Sequence, residues 1–259
     1  MPDDPLDDVK GQIPTNLRLI YLMEEVAKAG VPISPSALSD AVDLPKPTVH
    51  RLLATAEAEG YLQRDVDGRS FGPGRRMRRL SINTLSSQRI RTERLRIMKA
   101  LSDEVGETVN LSAPGRDGMV YIDRVETQWP LRIQLPVGTQ VAFHATASGK
   151  MYLSSLRIDK LDRLLASVML ERRTSRTLTD PAHLRAELAK TRSRGYATDD
   201  EEFMDGMAAI AVPICDDQDR LLTTLSIHAP LQRYDLHRLT EKLGALQSAA
   251  SKLEDLALD

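Results

Sequence analysis

A single cysteine, Cys215, among 259 residues rules out an internal disulfide framework and suits a reducing compartment. No apolar run approaches the roughly 18–20 residues that a membrane-spanning helix needs. The opening stretch MPDDPLDDVK is acidic and has no apolar h-region, so it does not read as a secretory signal. Residues 1–12 are expected to form a disordered acidic tail, and the protein is expected in the cytoplasm without membrane contact. There is no repeat period and no low-complexity tract.

Several chemical motifs are missing too. Ser148-Gly149-Lys150 resembles the end of a phosphate-binding loop, which needs G-x-x-x-x-G-K-[ST]. Here His144 stands where the first glycine belongs and Met151 where a magnesium-binding hydroxyl belongs. Ser148 lacks the G-x-S-x-G surroundings of a nucleophile elbow and reads more simply as a helix cap. His144, Cys215 and His228 share no recognised zinc-ligand spacing. No cofactor, metal or catalytic group is therefore expected.

What is present starts with charge. The chain carries a net charge of -2, yet residues 44–99 hold thirteen Lys and Arg against five Asp and Glu. That segment is +8 and the remainder -10. A basic stretch in an acidic protein suggests a polyanion contact, against the plainer reading of a solvated helix face. With 41% hydrophobic and 28% charged residues, the rest is ordinary globular material with enough length to bury a core.

TNLRLIYLMEEVAKA places apolar residues at Leu17, Ile20, Met23 and Ala27, a helix closed by Gly30. Ser34 before Pro35 caps a second, short helix with Leu38 and Val42 inward. In LPKPTVHRLLATAEAEGYL, Pro47 opens a third helix that runs to about Glu59. Val49, Leu52, Leu53 and Ala56 fall on one stripe. The opposite face offers Pro47 and Arg51, flanked by Thr48 and His50, with Lys46 just before it. Small and basic side chains there allow close approach to a groove. YLQRDVDGRSF then reads as a hairpin around Asp67-Gly68. Residues 13–73 thus form a winged helix-turn-helix for double-stranded DNA. Lys46, Pro47, Thr48, His50 and Arg51 would lie in the major groove, and Arg69 on the wing would reach the backbone.

Residues 74–105 read as a basic linker helix, with Ile90, Leu95, Met98, Leu101 and Val105 as its stripe. Arg75, Arg76, Arg78 and Arg79 add phosphate contacts or simply solvate the linker. Strand-like runs follow at TVNLSA, GMVYIDRV and LRIQL, then helices at SGKMYLSSL and KLDRLLASVM. Asp180-Pro181 opens another helix, GMAAIAVPI and LLTTLSIHA pair as strands, and the leucine-rich C-terminal segment is amphipathic. Residues 106–259 are α+β, an antiparallel sheet with helices packed on it.

Three stretches, in order, carry a resemblance: LPKPTVHRLLATAEAEGYL, FHATASGKMYLSSL and RGYATDDEEFMDGMAAIAVPICDDQDRLLTTLSIHAP. Together they resemble the IclR family of bacterial transcriptional regulators, from about residue 13 to about 255. The resemblance implies a winged helix-turn-helix, a linker helix and a GAF-like effector domain. It implies a homodimer or a dimer of dimers on a palindromic operator, answering to a small organic or aromatic acid. It places Ala147, Ser148 and Gly149 at a helix N-terminus beside the effector, with Glu202, Met204 and Asp205 nearby. Leu131 and Ile133 would form an apolar wall. Ser226 matches the family's S-x-S-G-P strand end, while His228 and Ala229 depart from it. His228 could donate to an acid and titrate near neutral pH. The alternative from another class is a small-molecule-converting enzyme whose helix-turn-helix binds protein.

Overall fold

A computed structural model describes residues 13–65, 67–85, 88–167 and 169–258; the acidic stretch 1–12 lies outside them. The chain divides into two compact units, one ending at Asn83 and the other starting at Thr84.

In the first unit, α1 (Arg18–Lys28), α2 (Pro35–Val42) and α3 (Lys46–Ala58) precede an antiparallel pair, β1 (Leu62–Arg64) and β2 (Phe71–Pro73). Ser34 caps α2 by accepting the Ala37 N–H at 3.3 Å, and Pro35 occupies the first turn. Asp43, in a left-handed conformation (φ 49°), turns the chain from α2 into α3, and Ser39 Oγ donates to the Leu44 carbonyl at 2.6 Å. The core joins Leu22, Val26, Leu38, Val49, Leu53 and Phe71. The phase of α1 differs from the expected stripe. Leu22 and Val26 are buried, with Leu19 and Met23 beside them, whereas Ile20 and Ala27 are exposed. Both registers are apolar at helical spacing, and packing against α2 selects one of them.

In the stretch 74–105, expected to be the linker helix, the described residues form α4 (Arg75–Leu85) and α5 (Gln88–Val105); residues 86 and 87 lie outside the described residues. The second unit is built on a six-stranded antiparallel sheet in the order β5-β4-β3-β8-β7-β6. Its strands are β3 (Thr108–Pro114), β4 (Met119–Val125), β5 (Gln140–Val141), β6 (Ala197–Asp200), β7 (Met207–Cys215) and β8 (Leu221–Pro230). The helices are α6 (Ala147–Ser155), α7 (Ile158–Ser167), α8 (Pro181–Arg194), α9 (Leu236–Thr240) and α10 (Leu243–Leu258). Asp180 caps α8 by accepting the N–H groups of Ala182 and His183.

Two strand readings change. LRIQL is not a strand. Pro130 and Pro136 flank it, and arginine side chains rather than a neighbouring strand take its carbonyls: Arg233 bonds Leu131 O and Arg124 bonds Ile133 O. ATDD, where no strand was read, is the edge strand β6, paired to β7 from Ala197↔Ala211 to Asp200↔Ala208.

Strand alternation sorts the sheet into two faces. One carries Thr108, Asn110 and Ser112 on β3, opposite His228, Ser226 and Thr224 on β8. α6 packs on this side, with Ala147 and Met151 against Ala197, Ala209 and Ala211. The other face carries Val109 and Leu111 opposite Ile227 and Leu225, and α5 and α10 pack on that side. A β-bulge in β4 changes the alternation. Ser112 pairs with Tyr121 but Leu111 pairs with Asp123, leaving Ile122 as the extra residue. Tyr121 and Asp123, two apart, therefore point to opposite faces.

Candidate nucleic-acid interface and effector site

Lys46, Pro47, His50 and Arg51 are exposed along one side of α3, and Thr48 is half-buried beside them. Val49, Leu53 and Ala56, on the opposite side, anchor the helix in the core. Arg69 is exposed at the wing turn, which Asp67 orders by accepting the N–H groups of Arg69 and Ser70 at 2.7 and 2.8 Å. Those bonds hold the Asp67 carboxyl down at about 2. Lys46, His50, Arg51 and Arg69 have no ion-pair partner among the described residues. Other arginines are engaged within the unit. Arg64 bonds Glu57 at 2.9 Å and covers the Phe71 ring; Arg76 bonds Glu59 at 2.7 Å and covers Tyr61. Arg78 donates to Pro73 O, whereas Arg75 and Arg79 are exposed. The four arginines after the wing thus split into two that hold the unit together and two that face solvent.

The α6 side of the sheet is polar and buried. Thr146, not Ser148, caps α6: its Oγ1 accepts the Gly149 N–H at 3.1 Å. Ser148 sits inside the first turn, and its Oγ has no hydrogen-bond partner. The same holds for Asn110 Nδ2, Ser112 Oγ and Thr224 Oγ1 on the facing sheet. Orphaned buried polar groups are costly and uncommon in folded proteins. Four of them lie together, on α6 and on the sheet face it covers. Ser226 Oγ lies 3.1 Å from His228 Nε2, and the His228 ring meets Tyr121 edge-on at 6.3 Å. Complete burial, with Arg124 nearby, pushes the His228 imidazole down to about 3. It stays neutral and does not titrate near pH 7, contrary to the expectation from its type alone. Burial pushes Tyr121 up to about 12, so it keeps its proton.

Gly149 serves packing. A Cβ there would lie 2.2 Å from Phe143 O and 2.5 Å from Phe143 Cα. Lys150 is fully buried and paired with Glu202, whose other carboxylate oxygen has no partner. Asp199, beside them, accepts the N–H groups of Glu202 and Phe203 at 2.8 and 3.2 Å. Burial and the neighbouring Glu202 push Asp199 up to about 7. Of the remaining expected residues, Ile133 is buried. Leu131 (54% exposed), Met204 (41% exposed) and Asp205 lie at the surface. His144 donates from Nε2 to the Glu171 carbonyl at 2.9 Å. Cys215 and His228 stand near opposite ends of the β7–β8 ladder. Among the described residues no group of three metal-binding side chains occurs, and no helix is long and apolar enough to cross a membrane.

Two family models match the chain. The IclR helix-turn-helix domain matches residues 17–66, and the bacterial transcriptional regulator IclR C-terminal domain matches residues 82–255. The chain belongs to the IclR family. Within that family it is 36% identical to the probable transcriptional regulator SauR of Cupriavidus necator, over 92% of this chain and 94% of that one. It is 30% identical to the transcriptional repressor IclR of Escherichia coli, over 95% and 90%. The crystal structure of Thermotoga maritima IclR matches with a TM-score of 0.62 at 26% identity, covering 93% of this chain and 97% of that chain. This IclR-family chain is a DNA-binding transcriptional regulator.

Several residues escaped the sequence reading of this IclR-family chain. Asn110, Ser112, Thr224 and Tyr121 line the polar face, and Arg124 joins them through a 2.8 Å bond from Nη1 to Asn110 Oδ1. Their signal is polar residues at every second position of otherwise apolar strands. On the opposite face, Arg91 and Arg94 of α5 bind the fully buried Asp123. That face also holds an apolar cavity of about 160 Å³, lined chiefly by Leu111, Ile122, Ile214, Leu222, Leu253 and Leu256.

Proposed function

We propose that this regulator works as a cytoplasmic homodimer, or a dimer of dimers. In this reading each α3 enters the major groove of one half-site of a palindromic operator. Lys46, Thr48, His50 and Arg51 make the contacts there, and Arg69 reaches the adjacent backbone. A small organic or aromatic acid binds between α6 and the polar sheet face, against Ser148, Ser226 and His228. Its binding changes the spacing or assembly of the DNA-binding units. It can do so only by favouring one arrangement over the other.

One observation carries the effector part: the unpartnered atoms of Ser148, Asn110, Ser112 and Thr224, all buried on the α6 side of the sheet. Ligands commonly occupy pockets with a few convergent polar groups set among apolar ones. The test is a thermal-shift screen of the full chain against small aliphatic and aromatic acids, repeated with Ser148→Leu. Acids that raise the Tm of the wild type should fail to raise that of the variant. Equal shifts in both would place the effector elsewhere. Light scattering at micromolar concentration tests the dimer; a monomer, free and on DNA, would contradict it.

A further inference from the structure

We propose that this chain has a second small-molecule site, on the sheet face opposite α6, and that the site takes an uncharged apolar molecule of the size of benzene or toluene. It is separate from the polar face under α6, and its occupant does not depend on what binds there.

The apolar cavity of about 160 Å³ lies between α5, α10 and the sheet, within the second unit. Two β-bulges shape it. In β4 the extra residue is Ile122, between Tyr121 and Asp123. In β8 it is Leu222: Ile214 pairs with Thr223 and Cys215 with Leu221, and Leu222 stands between those pairs. Strict alternation would turn Leu222, two residues before Thr224, toward the polar face. A bulge re-aims a side chain, and Leu222 and Thr223, neighbours in sequence, both line the cavity. Ile122 lines it in the same way, beside Asp123 on the α5 side. The two bulged strands flank β3, whose Leu111 lies in the lining between them. Two bulges that send their extra side chains to one place mark a shaped site rather than scattered irregularity.

The lining sets the chemical class. Leu111, Ile122, Ile214 and Leu253 are buried around the cavity, and Leu222, 38% exposed, marks its side toward solvent. Among the described residues Arg94 is the one charged group of the lining, and the buried Asp123 carboxylate matches its charge. A charged occupant would give up its hydration to an apolar wall and gain no counter-charge in return. Water gains little there either, since it needs two to four polar partners. A dry apolar cavity of about 150 Å³ accepts benzene or xenon. Filling this one restores the dispersion contacts that its lining lacks. The occupant would touch α5 at Ile90, α10 at Leu253 and the sheet at Leu111. It would therefore favour the state in which these three layers are packed together.

The experiment titrates the full chain, with its Ile and Leu methyl groups isotope-labelled, with toluene, and follows both the methyl NMR spectrum and the Tm. In the wild type the methyl signals of Ile122, Ile214 and Leu253 should shift saturably, and Tm should rise by about 2–4 °C at toluene well above its Kd. Leu222→Trp and Ile122→Phe each fill the cavity and should weaken toluene binding about tenfold or more. Ser148→Leu, on the other face of the sheet, should bind toluene as the wild type does. Saturable binding that is unchanged in both filling variants overturns the proposal. So does binding lost in Ser148→Leu, which would put toluene on the α6 side. The absence of saturable shifts in the wild type up to the solubility of toluene overturns it as well. Should neither filling variant fold, the wild-type spectrum decides: shifts centred on methyl groups outside the cavity lining overturn the site.

Discussion

Arg94 on α5 donates from Nε to Oδ2 of Asp123 on β4 at 2.6 Å, with both side chains buried. Arg91, half-exposed one turn earlier, bonds the other carboxylate oxygen at 2.8 Å. The bulge at Ile122 makes this possible by turning Asp123 away from the Tyr121 face. One strand thereby faces the polar site with Tyr121 and Arg124 and holds α5 with Asp123. Removing one partner of a buried ion pair leaves the other charge stranded. Asp123→Ala is expected to cost about 3–5 kcal/mol in urea unfolding. Asp123→Leu with Arg94→Met should recover much of that loss. A cost near zero for Asp123→Ala would show that solvent reaches the pair.

Arg69 sits at the tip of an ordered wing and has no ion-pair partner among the described residues. A backbone contact should contribute affinity without sequence preference. Arg69→Ala is expected to weaken operator and random DNA alike and to reduce the slope of log K against log salt by about one. Fluorescence anisotropy over a salt series measures it. An unchanged slope would remove Arg69 from the interface.

Gly149→Ala tests whether the conspicuous glycine of ASGK serves packing. The added Cβ would meet Phe143 backbone, which cannot swing aside as a side chain does. Overpacking of this kind costs about 1–3 kcal/mol. Thermal unfolding of the variant should show a lowered Tm without any ligand present. A normal Tm would mean that α6 shifts freely on the sheet.

Asp199 gives a pH signature. Its folded pKa, about 7, lies above the usual 3.8 because of burial and Glu202. The folded chain therefore holds a proton that the unfolded chain has already released. That contribution to stability is present at low pH and is lost as pH rises through about 7. His228 acts in the opposite sense, since its folded pKa of about 3 is depressed from 6.5, and its effect is confined to pH below that value. Between about pH 6.5 and pH 8, Asp199→Asn should lose less Tm than the wild type. The amide oxygen can still accept from Glu202 and Phe203. Parallel curves would show that Asp199 is ionised throughout.

The DNA-binding half was legible because its signals are local. Ser34-Pro35, the stripe Val49–Leu53–Ala56 and the Asp67-Gly68 turn each act within a few residues of their effect. The phase of α1 was not, because two apolar registers compete and contacts distant in sequence choose between them. LRIQL alternates like a strand, and nothing nearby in sequence reveals that Arg124 and Arg233 would take its carbonyls. The buried polar face on the α6 side was legible only in part, through Ser148, Ser226 and His228. Asn110, Ser112, Tyr121 and Arg124 were not, because their shared face exists only once β3, β4 and β8 are in register and the bulge is placed. Ser148 was misread as a cap because Thr146, two residues earlier, has the same capping chemistry.

The central claim is that the exposed face of α3 reads DNA. The direct measurement is an anisotropy titration of the full chain against DNA from upstream of its own gene, with the wild type and Arg51→Ala side by side. The wild type should bind saturably, tighter than it binds random DNA, and Arg51→Ala should bind that site more weakly by about 1–3 kcal/mol. Equal binding by wild type and variant at several salt concentrations would contradict the account.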